Sequence, residues 1–376
     1  MNDLMHPARR MPFPALMAGL ERARGLGFVH RRVDGQAALQ LFIYTPRCVY
    51  EDGWDEFTVM ARGLIVDEAA GQVVATPFPK FFNVGERWGE VPDLPFEAFE
   101  KLDGSLVITF HHAGRWRAAT KGAFDSEQAV WAQARLDAAD LSPLAPGATY
   151  LFEAVYPENR IVVRYRDPAL VMLAAYGGGG RELAYDEVLA TCRALGWRAA
   201  RRHGFAGIAD MVAHAAALPR DEEGFVIRFS NGLRLKLKGA EYRRIHALIS
   251  RCTPLAMWEA MMAGDDMGAI RRDLPEEFWT DFDAIVRLLT ASVATIETRV
   301  AEVAASVAHL SDKELGLSLG SLPAEARPYL FGFRKSGAIA GRSREALMRS
   351  VRPTGNALAG YVPSYAMGRV LDDAAS

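Results

Sequence analysis

The apolar residues of this 376-residue chain change their spacing near position 245, and that change constrains the fold more than any other feature. Before it, short β-branched and aromatic stretches such as Leu39–Tyr44 and Ser105–Phe110 are separated by turn residues, a pattern typical of strands that pair through hairpins. After it, apolar residues recur every three or four positions over Phe282–Val307, which predicts one long amphipathic helix. We therefore expect an α+β fold, with antiparallel sheets over residues 1–245 and a helical C-terminal domain over residues 246–376.

Further elements follow from local signals of turns, caps and periodicity. Three hairpins are expected: Gly63–Asp67 with Gln72–Thr76, Ser105–Phe110 with Arg115–Thr120, and Thr149–Tyr156 with Arg160–Tyr165. Four further helices are expected at Ser126–Ala139, Tyr185–Leu195, Pro254–Ala263 and Ser343–Val351.

Composition excludes some classes of protein. Lys and Arg number 44 against 46 Asp and Glu, so the formal net charge is −2, which argues weakly against a nucleic-acid partner and requires any basic surface to be local. The 3 cysteines form no CxxC pair, which favours a reducing, cytoplasmic setting. No apolar run is long enough for a membrane span. We expect a soluble cytoplasmic protein with no membrane partner and no obligate protein partner.

The most specific local motif is Lys101-Leu102-Asp103-Gly104, which directly precedes an apolar strand. A lysine amine is a nucleophile only when it is neutral, so its pKa must fall from about 10.4. Gly104 would let the backbone come close to a phosphate or a base. Taken alone, the four residues also fit a surface turn that enters a strand.

The segment Leu233–Lys238 alternates apolar and basic residues without a break. As a strand it would bury its leucines on one face and present Arg234, Lys236 and Lys238 on the other. Three neighbouring cations repel one another unless they share an anionic ligand, and a polyphosphate would be such a ligand. The alternative is an exposed edge strand that its lysines protect from pairing.

Two glutamates accompany these motifs. Glu223 and Gly224 begin a strand that the turn Asn231-Gly232 joins to the basic strand as a hairpin. Glu153 lies in the apolar stretch Tyr150–Tyr156, where a carboxylate is costly unless it has a cation, a metal or a hydrogen-bond donor as partner. Glu153 on a half-exposed strand that faces solvent is the alternative.

In this order, Lys-x-Asp-Gly, the strand glutamate, Glu-Gly and Lys-x-Lys resemble the collinear motifs of the covalent nucleotidyltransferases. That superfamily comprises ATP-dependent DNA ligases, RNA ligases and mRNA capping enzymes. Ala61–Ile65, Pro79–Asn83 and Ala119–Gly122 are similar to further elements of the bacteriophage RNA ligase 1 family, best known for tRNA repair. The resemblance covers about Arg62–Tyr242, and the ordered elements are jointly far more specific than any one of them.

The resemblance implies a nucleotidyltransferase domain over residues 1–245 and roles for three groups of residues. The catalytic group is Lys101 as the residue that receives AMP, with Lys236 and Lys238 at the α-phosphate and the leaving pyrophosphate. The nucleotide-binding group is Arg62, Lys80 and Lys121 at the phosphates, with Phe82, Gly104, Glu223, Gly224 and Tyr242 around the nucleotide. The group expected to hold Mg²⁺ or Mn²⁺ is Asp103, Glu153 and Glu223.

The function that the resemblance implies is ATP-dependent sealing of RNA 5′-phosphate and 3′-hydroxyl ends through a lysyl-AMP intermediate and an adenylylated RNA end, with tRNA as one candidate substrate. A DNA ligase or a capping enzyme is a rival. Both usually carry an OB-fold domain after the Lys-x-Lys strand, whereas this sequence is helical there. A catalytically silent RNA-binding protein on the same fold is the rival from another class.

Overall fold

The computed structural model describes residues 4–35, 38–86, 91–159, 162–250, 252–274 and 278–363. The chain divides into two compact units, with the boundary between Arg244 and Ile245. Sheets dominate the first unit and helices the second, so the expected α+β class is confirmed. Within the described ranges, no helix is both long enough and apolar enough to cross a membrane.

In the part of the chain that the structure describes, the strands form three sheets, and neighbouring strands pair antiparallel except Phe82–Asn83 and Arg234–Lys238, which are parallel. The N-terminal sheet has the order β1-β2-β3-β4, with β1 Val29–Val33, β2 Gln40–Tyr44, β3 Arg62–Asp67 and β4 Gln72–Ala75. The middle sheet has the order β10-β9-β7-β8, with β7 Ser105–His112, β8 Arg115–Thr120, β9 Thr149–Val155 and β10 Ala169–Tyr176. The five-stranded sheet has the order β11-β6-β12-β13-β5, with β5 Phe82–Asn83, β6 Phe96–Lys101, β11 Arg202–His203, β12 Gly224–Phe229 and β13 Arg234–Lys238.

The helices of the first unit precede, separate and follow these strands along the chain. They are α1 Phe13–Gly25, α2 Pro46–Tyr50, α3 Glu127–Asp137, α4 Tyr185–Leu195 and α5 Ile208–Ala216, and α6 Ala240–Ser250 contains the unit boundary. Ser126 caps α3 through its hydroxyl, which accepts from the Ala129 amide at 3.2 Å. That bond gives the helix a defined start at the expected residue.

The second unit is built on one long helix. Its helices are α7 Pro254–Ala263, α8 Met267–Asp273, α9 Trp279–Ser306, α10 Asp312–Ser318, α11 Leu330–Ser336 and α12 Arg342–Ser350. The expected apolar stripe of α9 is buried, with Phe282, Ile285 and Leu289 each at most 3% exposed. Helices α7, α11 and α12 contact α9, so the stripe forms intramolecular core.

Three predicted hairpins are confirmed, β3–β4, β7–β8 and β12–β13, and each turn contains a glycine at positive φ. The β7–β8 turn places Ala113 and Gly114 at φ of 50° and 80°, and Gly232 in the β12–β13 turn has a φ of 85°. Glycine reaches these left-handed angles without the steric cost of a Cβ. The β12–β13 register pairs Gly224 with Lys238 and Arg228 with Arg234.

One predicted pairing is wrong. Strand β9 was expected to pair with Arg160–Tyr165, of which residues 160–161 lie outside the described ranges. Residues 162–165 are not a strand, and β9 pairs instead with β10 and β7. In the segment 162–165, a carboxylate takes the place of a neighbouring strand as hydrogen-bond acceptor. Asp103 Oδ2 accepts from the amides of Val162 at 2.7 Å and Val163 at 2.8 Å.

Candidate active site

Three strands of the five-stranded sheet bring the sequence motifs to one face. Lys101 of β6 pairs with Gly224 of β12, which in turn pairs with Lys238 of β13. Side chains alternate across a strand, so Lys236 lies on the same face as Lys238, one step along β13. The alternation that predicted this face and the hairpin that predicted its register therefore place the Lys-x-Lys pair beside Lys101.

The buried carboxylate of Glu223 contacts both Lys101 and Lys238. Glu223 is 3% exposed, its Oε2 lies 2.7 Å from the Lys101 Nζ, and its Oε1 lies 3.3 Å from the Lys238 Nζ. Burial alone would lower the pKa of Lys101, but the charges of Glu223, Glu153 and Asp103 outweigh it and raise that pKa above its ordinary value. With these protein neighbours Lys101 is an ammonium ion and must lose a proton before it can act as a nucleophile.

The two motif glycines are required by close backbone approach. A Cβ on Gly104 would overlap the carbonyl oxygen of Ala154 and lie 3.0 Å from the Glu153 Cγ. A Cβ on Gly224 would overlap the Leu237 carbonyl oxygen, and its φ of +142° strains any other residue. These glycines therefore serve the packing of the sheet beneath the lysines, in addition to any contact with a ligand.

Asp103 and Tyr242 support the fold of the site. Besides the Val162 and Val163 amides, the Asp103 carboxylate accepts from the Tyr242 hydroxyl at 2.9 Å through Oδ1, and the Asp103 amide donates to the Tyr165 hydroxyl at 2.8 Å. Asp103 is 2% exposed. A carboxylate with both oxygens engaged by protein donors is a structural anchor, so the geometry favours that role over the metal ligation expected for Asp103.

Glu153 points into the site and not to solvent. Its Oε1 accepts from the Gly104 amide at 3.0 Å. Burial raises the pKa of Glu153 to about 7, with Lys101 and Arg62 opposing that shift and Glu223 adding to it. In the described ranges, no three His, Cys, Asp or Glu side chains are grouped to hold a metal ion. A pair such as Glu153 and Glu223 fits Mg²⁺, which usually binds one or two carboxylates together with substrate phosphates.

The remaining predicted cations converge on the same place. Burial first, and then the charges of Lys80, Lys101, Lys238 and Arg62, together lower the pKa of Lys236 to about 7. Arg62 is half-buried, and among the described residues its buried Nη1 has no hydrogen-bond partner. Buried like charges and an unsatisfied donor are costly without an anion. The arrangement therefore fits a polyphosphate ligand.

Two aromatic residues of the site, Tyr44 and Trp54, lie outside the sequence motifs. Tyr44, at the end of β2, faces Lys80, Arg62 and Lys121; burial raises its pKa, but the charges of these three cations outweigh burial and lower it. Trp54 lies in the loop after α2, and its ring contacts the rings of Tyr44 and Phe82. In the sequence, Tyr44 is marked as a site residue only by its position at the end of a predicted strand. Nothing in the sequence marks Trp54, because a single tryptophan in a loop has no pattern.

Arg234 departs from the expected row of three cations. It is buried and forms an ion pair with Glu182, which also contacts Arg228 at 2.6 Å. Arg228 in turn pairs with Glu97, so a chain of charges crosses the sheet at the end away from Lys101. Only Lys236 and Lys238 of the basic strand take part in the candidate site.

Lys236 predicts a pH dependence of anion binding. An anion next to Lys236 favours its charged form, so binding of inorganic pyrophosphate is expected to take up a proton above pH 7. The ratio of the wild-type affinity for pyrophosphate to that of a Lys236→Met variant should then fall by up to about tenfold per pH unit above pH 7. Calorimetric titration of both proteins at several pH values measures the ratio, in which the ionisation of pyrophosphate itself cancels. A constant ratio would contradict the assignment.

The same residue predicts a stability effect. The unfolded chain, with an ordinary lysine pKa, binds more protons than the folded chain between about pH 7 and pH 10, so Lys236 makes the free energy of unfolding rise with pH in that window. Lys236→Met removes this cost and should unfold at a higher temperature than wild type at pH 7. Thermal melts at pH 7 and pH 9 test this, because the gain should shrink at the higher pH.

Comparisons with known proteins find RNA ligases among the proteins similar to this chain. A family model described as RNA ligase matches residues 60–242. A putative bifunctional polynucleotide kinase/RNA ligase of Autographa californica nuclear polyhedrosis virus is 27% identical over 238 residues, which are 55% of this chain and 34% of that protein. RNA ligase 1 of bacteriophage TS2126 is 30% identical over 181 residues, 43% of this chain and 45% of that protein. The chain thus covers less than half the length of either relative.

A solved structure shows the same fold. An archaeal ATP-dependent RNA ligase superposes with a TM-score of 0.50 at 15% sequence identity, over 75% of this chain and 83% of that one. The matched residues 60–242 contain Lys101, Glu153, Glu223 and the Lys-x-Lys pair. Over this segment, the chain is similar to RNA ligases, among them RNA ligase 1 of a bacteriophage.

Proposed function

We propose that this protein is an ATP-dependent RNA ligase that adenylylates Lys101, transfers the AMP to an RNA 5′-phosphate and joins that end to a 3′-hydroxyl. The observation that supports the proposal is the convergence of Lys101 with Lys236, Lys238, Lys80 and Arg62 at one end of the sheet, where burial and the neighbouring cations depress the pKa of Lys236. Such a cluster of cations would bind a polyphosphate beside Lys101. The similarity to RNA ligases over residues 60–242 supports RNA as the acceptor.

In the first step, the neutral Lys101 amine attacks the α-phosphorus of ATP. A nitrogen–phosphorus bond forms, the bond to the bridging oxygen of the β-phosphate breaks, and pyrophosphate leaves with the electron pair. The cations that would bind the phosphates are Arg62, Lys80 and Lys121, and Lys236 and Lys238 would neutralise the charge that develops on the leaving group. Phosphoryl transfer depends mainly on such positioning and charge neutralisation.

The ion pair between Lys101 and Glu223 has to open before this step, because it holds the amine in its protonated form. A divalent cation, Mg²⁺ or Mn²⁺, would neutralise phosphate charge when bound. Glu223 and Glu153 are the carboxylates that would hold it. We assign to Asp103 the role of holding the backbone of residues 162–163 through hydrogen bonds.

In the later steps the lysine is regenerated. An RNA 5′-phosphate oxygen attacks the phosphorus of the Lys101 adduct, which breaks the nitrogen–phosphorus bond and forms a phosphoanhydride. The 3′-hydroxyl then attacks the RNA 5′-phosphorus, and AMP leaves. Damaged tRNA is a candidate substrate by the family resemblance, and a cytoplasmic setting is proposed because the 3 cysteines of the chain form no CxxC pair.

A sealing assay tests the proposal. Purified protein is incubated with ATP, Mg²⁺ and a 5′-phosphorylated single-stranded RNA, in parallel with a DNA strand of the same sequence. The expected products are an RNA–adenylate and then a ligated or circular RNA, with DNA reacting much more slowly. RNA binding without any adenylate or sealed product would favour a catalytically silent RNA-binding protein, and preferential sealing of DNA would favour a DNA ligase.

A further inference from the structure

Lys80 has an unusual set of neighbours for a phosphate-binding lysine. Its Nζ lies 5.3 Å from the ring centroid of Tyr44, 5.2 Å from that of Trp54 and 5.4 Å from that of Phe82. We call these three rings the aromatic box. A cation within about 6 Å of an aromatic face is attracted by the negative charge of the π system, so three rings act on one ammonium group.

Trp54 is the ring that joins the other two. Its ring centroid lies 5.0 Å from Tyr44 at an interplanar angle of 72°, and 5.5 Å from Phe82 at 83°. Both are edge-to-face contacts, an arrangement that aromatic pairs prefer. Tyr44 ends a strand of the N-terminal sheet and Phe82 begins a strand of the five-stranded sheet, so Trp54 closes the box between two separate sheets.

The loop that carries Trp54 is fixed by its own hydrogen bonds. Asp55 Oδ1 accepts from the Phe57 and Thr58 amides, both at 2.8 Å, and the Thr58 hydroxyl accepts from the Asp55 amide at 2.7 Å. The same loop holds Lys80 directly, since the Lys80 amide donates to the Val59 carbonyl at 2.7 Å. The loop therefore sets the positions of Trp54 and of the lysine backbone together.

The positive charges around Lys80 explain why aromatic rings suit its ammonium group better than a carboxylate would. Lys80 belongs to the cluster that lowers the pKa of Lys236, and like charges drive such a group apart or toward deprotonation. Among the residues that the structure describes, none brings a carboxylate within ion-pair distance of Lys80. Aromatic faces offset the repulsion without adding a negative charge that would compete with phosphate.

We propose that Trp54 is a positioning residue, which holds the Lys80 ammonium in the aromatic box so that it presents its charge to the polyphosphate of ATP. The inference rests on the proposed function for the identity of that ligand. It assigns to Trp54 no contact with the reacting atoms. Its effect should therefore appear in binding of the polyphosphate and should require Lys80.

The test compares Trp54→Leu and Trp54→Met, which keep an apolar side chain, with Trp54→Phe, which keeps a π face. Rates of AMP incorporation are measured over a range of ATP concentrations, and pyrophosphate affinity is measured by calorimetry. Leu and Met are expected to raise the KM for ATP and the pyrophosphate Kd by about 3- to 30-fold with little change in kcat, and Phe should restore most of the loss. Equal effects of Leu, Met and Phe would overturn the proposal.

Two further variants separate positioning from a general structural role. In a Lys80→Met background, Trp54→Leu should have no additional effect on the pyrophosphate Kd, because the group that it positions is gone. An effect of the same size in that background would overturn the proposal. Tyr50→Leu, which removes a nearby aromatic ring that is 78% exposed, is the matched control and should leave KM and Kd unchanged.

The outcome also separates this inference from the proposed function. A wild-type protein that incorporates AMP, with a KM that Trp54→Leu and Trp54→Met leave unchanged, contradicts the inference alone. A wild-type protein that binds pyrophosphate but never incorporates AMP contradicts the proposed function, and the pyrophosphate affinities of the variants then still decide the role of Trp54.

Discussion

Lys101→Arg is expected to abolish ATP-dependent RNA sealing, with a loss of at least about 10⁴-fold. Arginine keeps a positive charge for the ion pair with Glu223, which joins the Lys101 Nζ at 2.7 Å in the wild-type site. Its guanidinium stays protonated at any pH that the protein tolerates, so it cannot attack phosphorus. The loss would therefore be one of chemistry, since both the charge balance and the buried carboxylate are retained.

A second substrate makes this prediction specific to the first step. If Lys101 serves only to accept AMP from ATP, a strand that already carries a 5′-adenylate needs no lysine nucleophile. Lys101→Arg should then still seal a pre-adenylylated RNA to a 3′-hydroxyl at a measurable rate. Sealing of ordinary 5′-phosphorylated RNA by the variant, with ATP supplied, would show that another group carries the AMP.

Glu182→Gln is expected to lower the free energy of unfolding by about 3–5 kcal/mol, the usual cost of removing one partner of a buried ion pair. Glu182 is 3% exposed and contacts both Arg228 and Arg234, which are themselves 8% and 9% exposed. A neutral amide would leave two buried guanidinium groups with the carboxylate of Glu97 alone, and Glu97 contacts only Arg228 of the two.

Urea unfolding curves of wild type and Glu182→Gln measure that effect. The matched control is Glu51→Gln, which breaks an exposed ion pair with Arg47 at 2.8 Å. Exposed pairs contribute little because water and salt screen them, so the control should unfold at nearly the wild-type urea concentration. Equal midpoints for Glu182→Gln and wild type would show that the charge chain across the sheet is not a source of stability.

The sequence predicts best those parts of the site that depend on local pattern. Strict alternation in Leu233–Lys238 determines which face Lys236 and Lys238 share, and the Asn231-Gly232 turn determines the register that brings them to Gly224. Because β12 also pairs with β6, the same register carries Lys101 into place. A periodic strand and a tight turn therefore suffice to predict which residues meet at this end of the sheet.

Roles that depend on distant partners are not predictable in this way. Arg234 and Lys236 follow the same alternation, yet Arg234 forms a buried ion pair with Glu182. No sequence pattern connects Glu182 with Arg234. Asp103 likewise finds its partners about 60 residues along the chain, at the amides of Val162 and Val163. From sequence alone, a carboxylate that anchors backbone is indistinguishable from one that binds a metal.

The central claim, that AMP is carried on Lys101, has one most direct test. Protein is first treated with pyrophosphate to remove any bound AMP, then incubated with α-labelled ATP and Mg²⁺, digested, and the labelled peptide is sequenced by mass spectrometry. We expect label on the peptide that contains Lys101, through a bond that acid cleaves and alkali does not, as for a phosphoramidate. Label on any other residue, or no label on stripped protein, would contradict it.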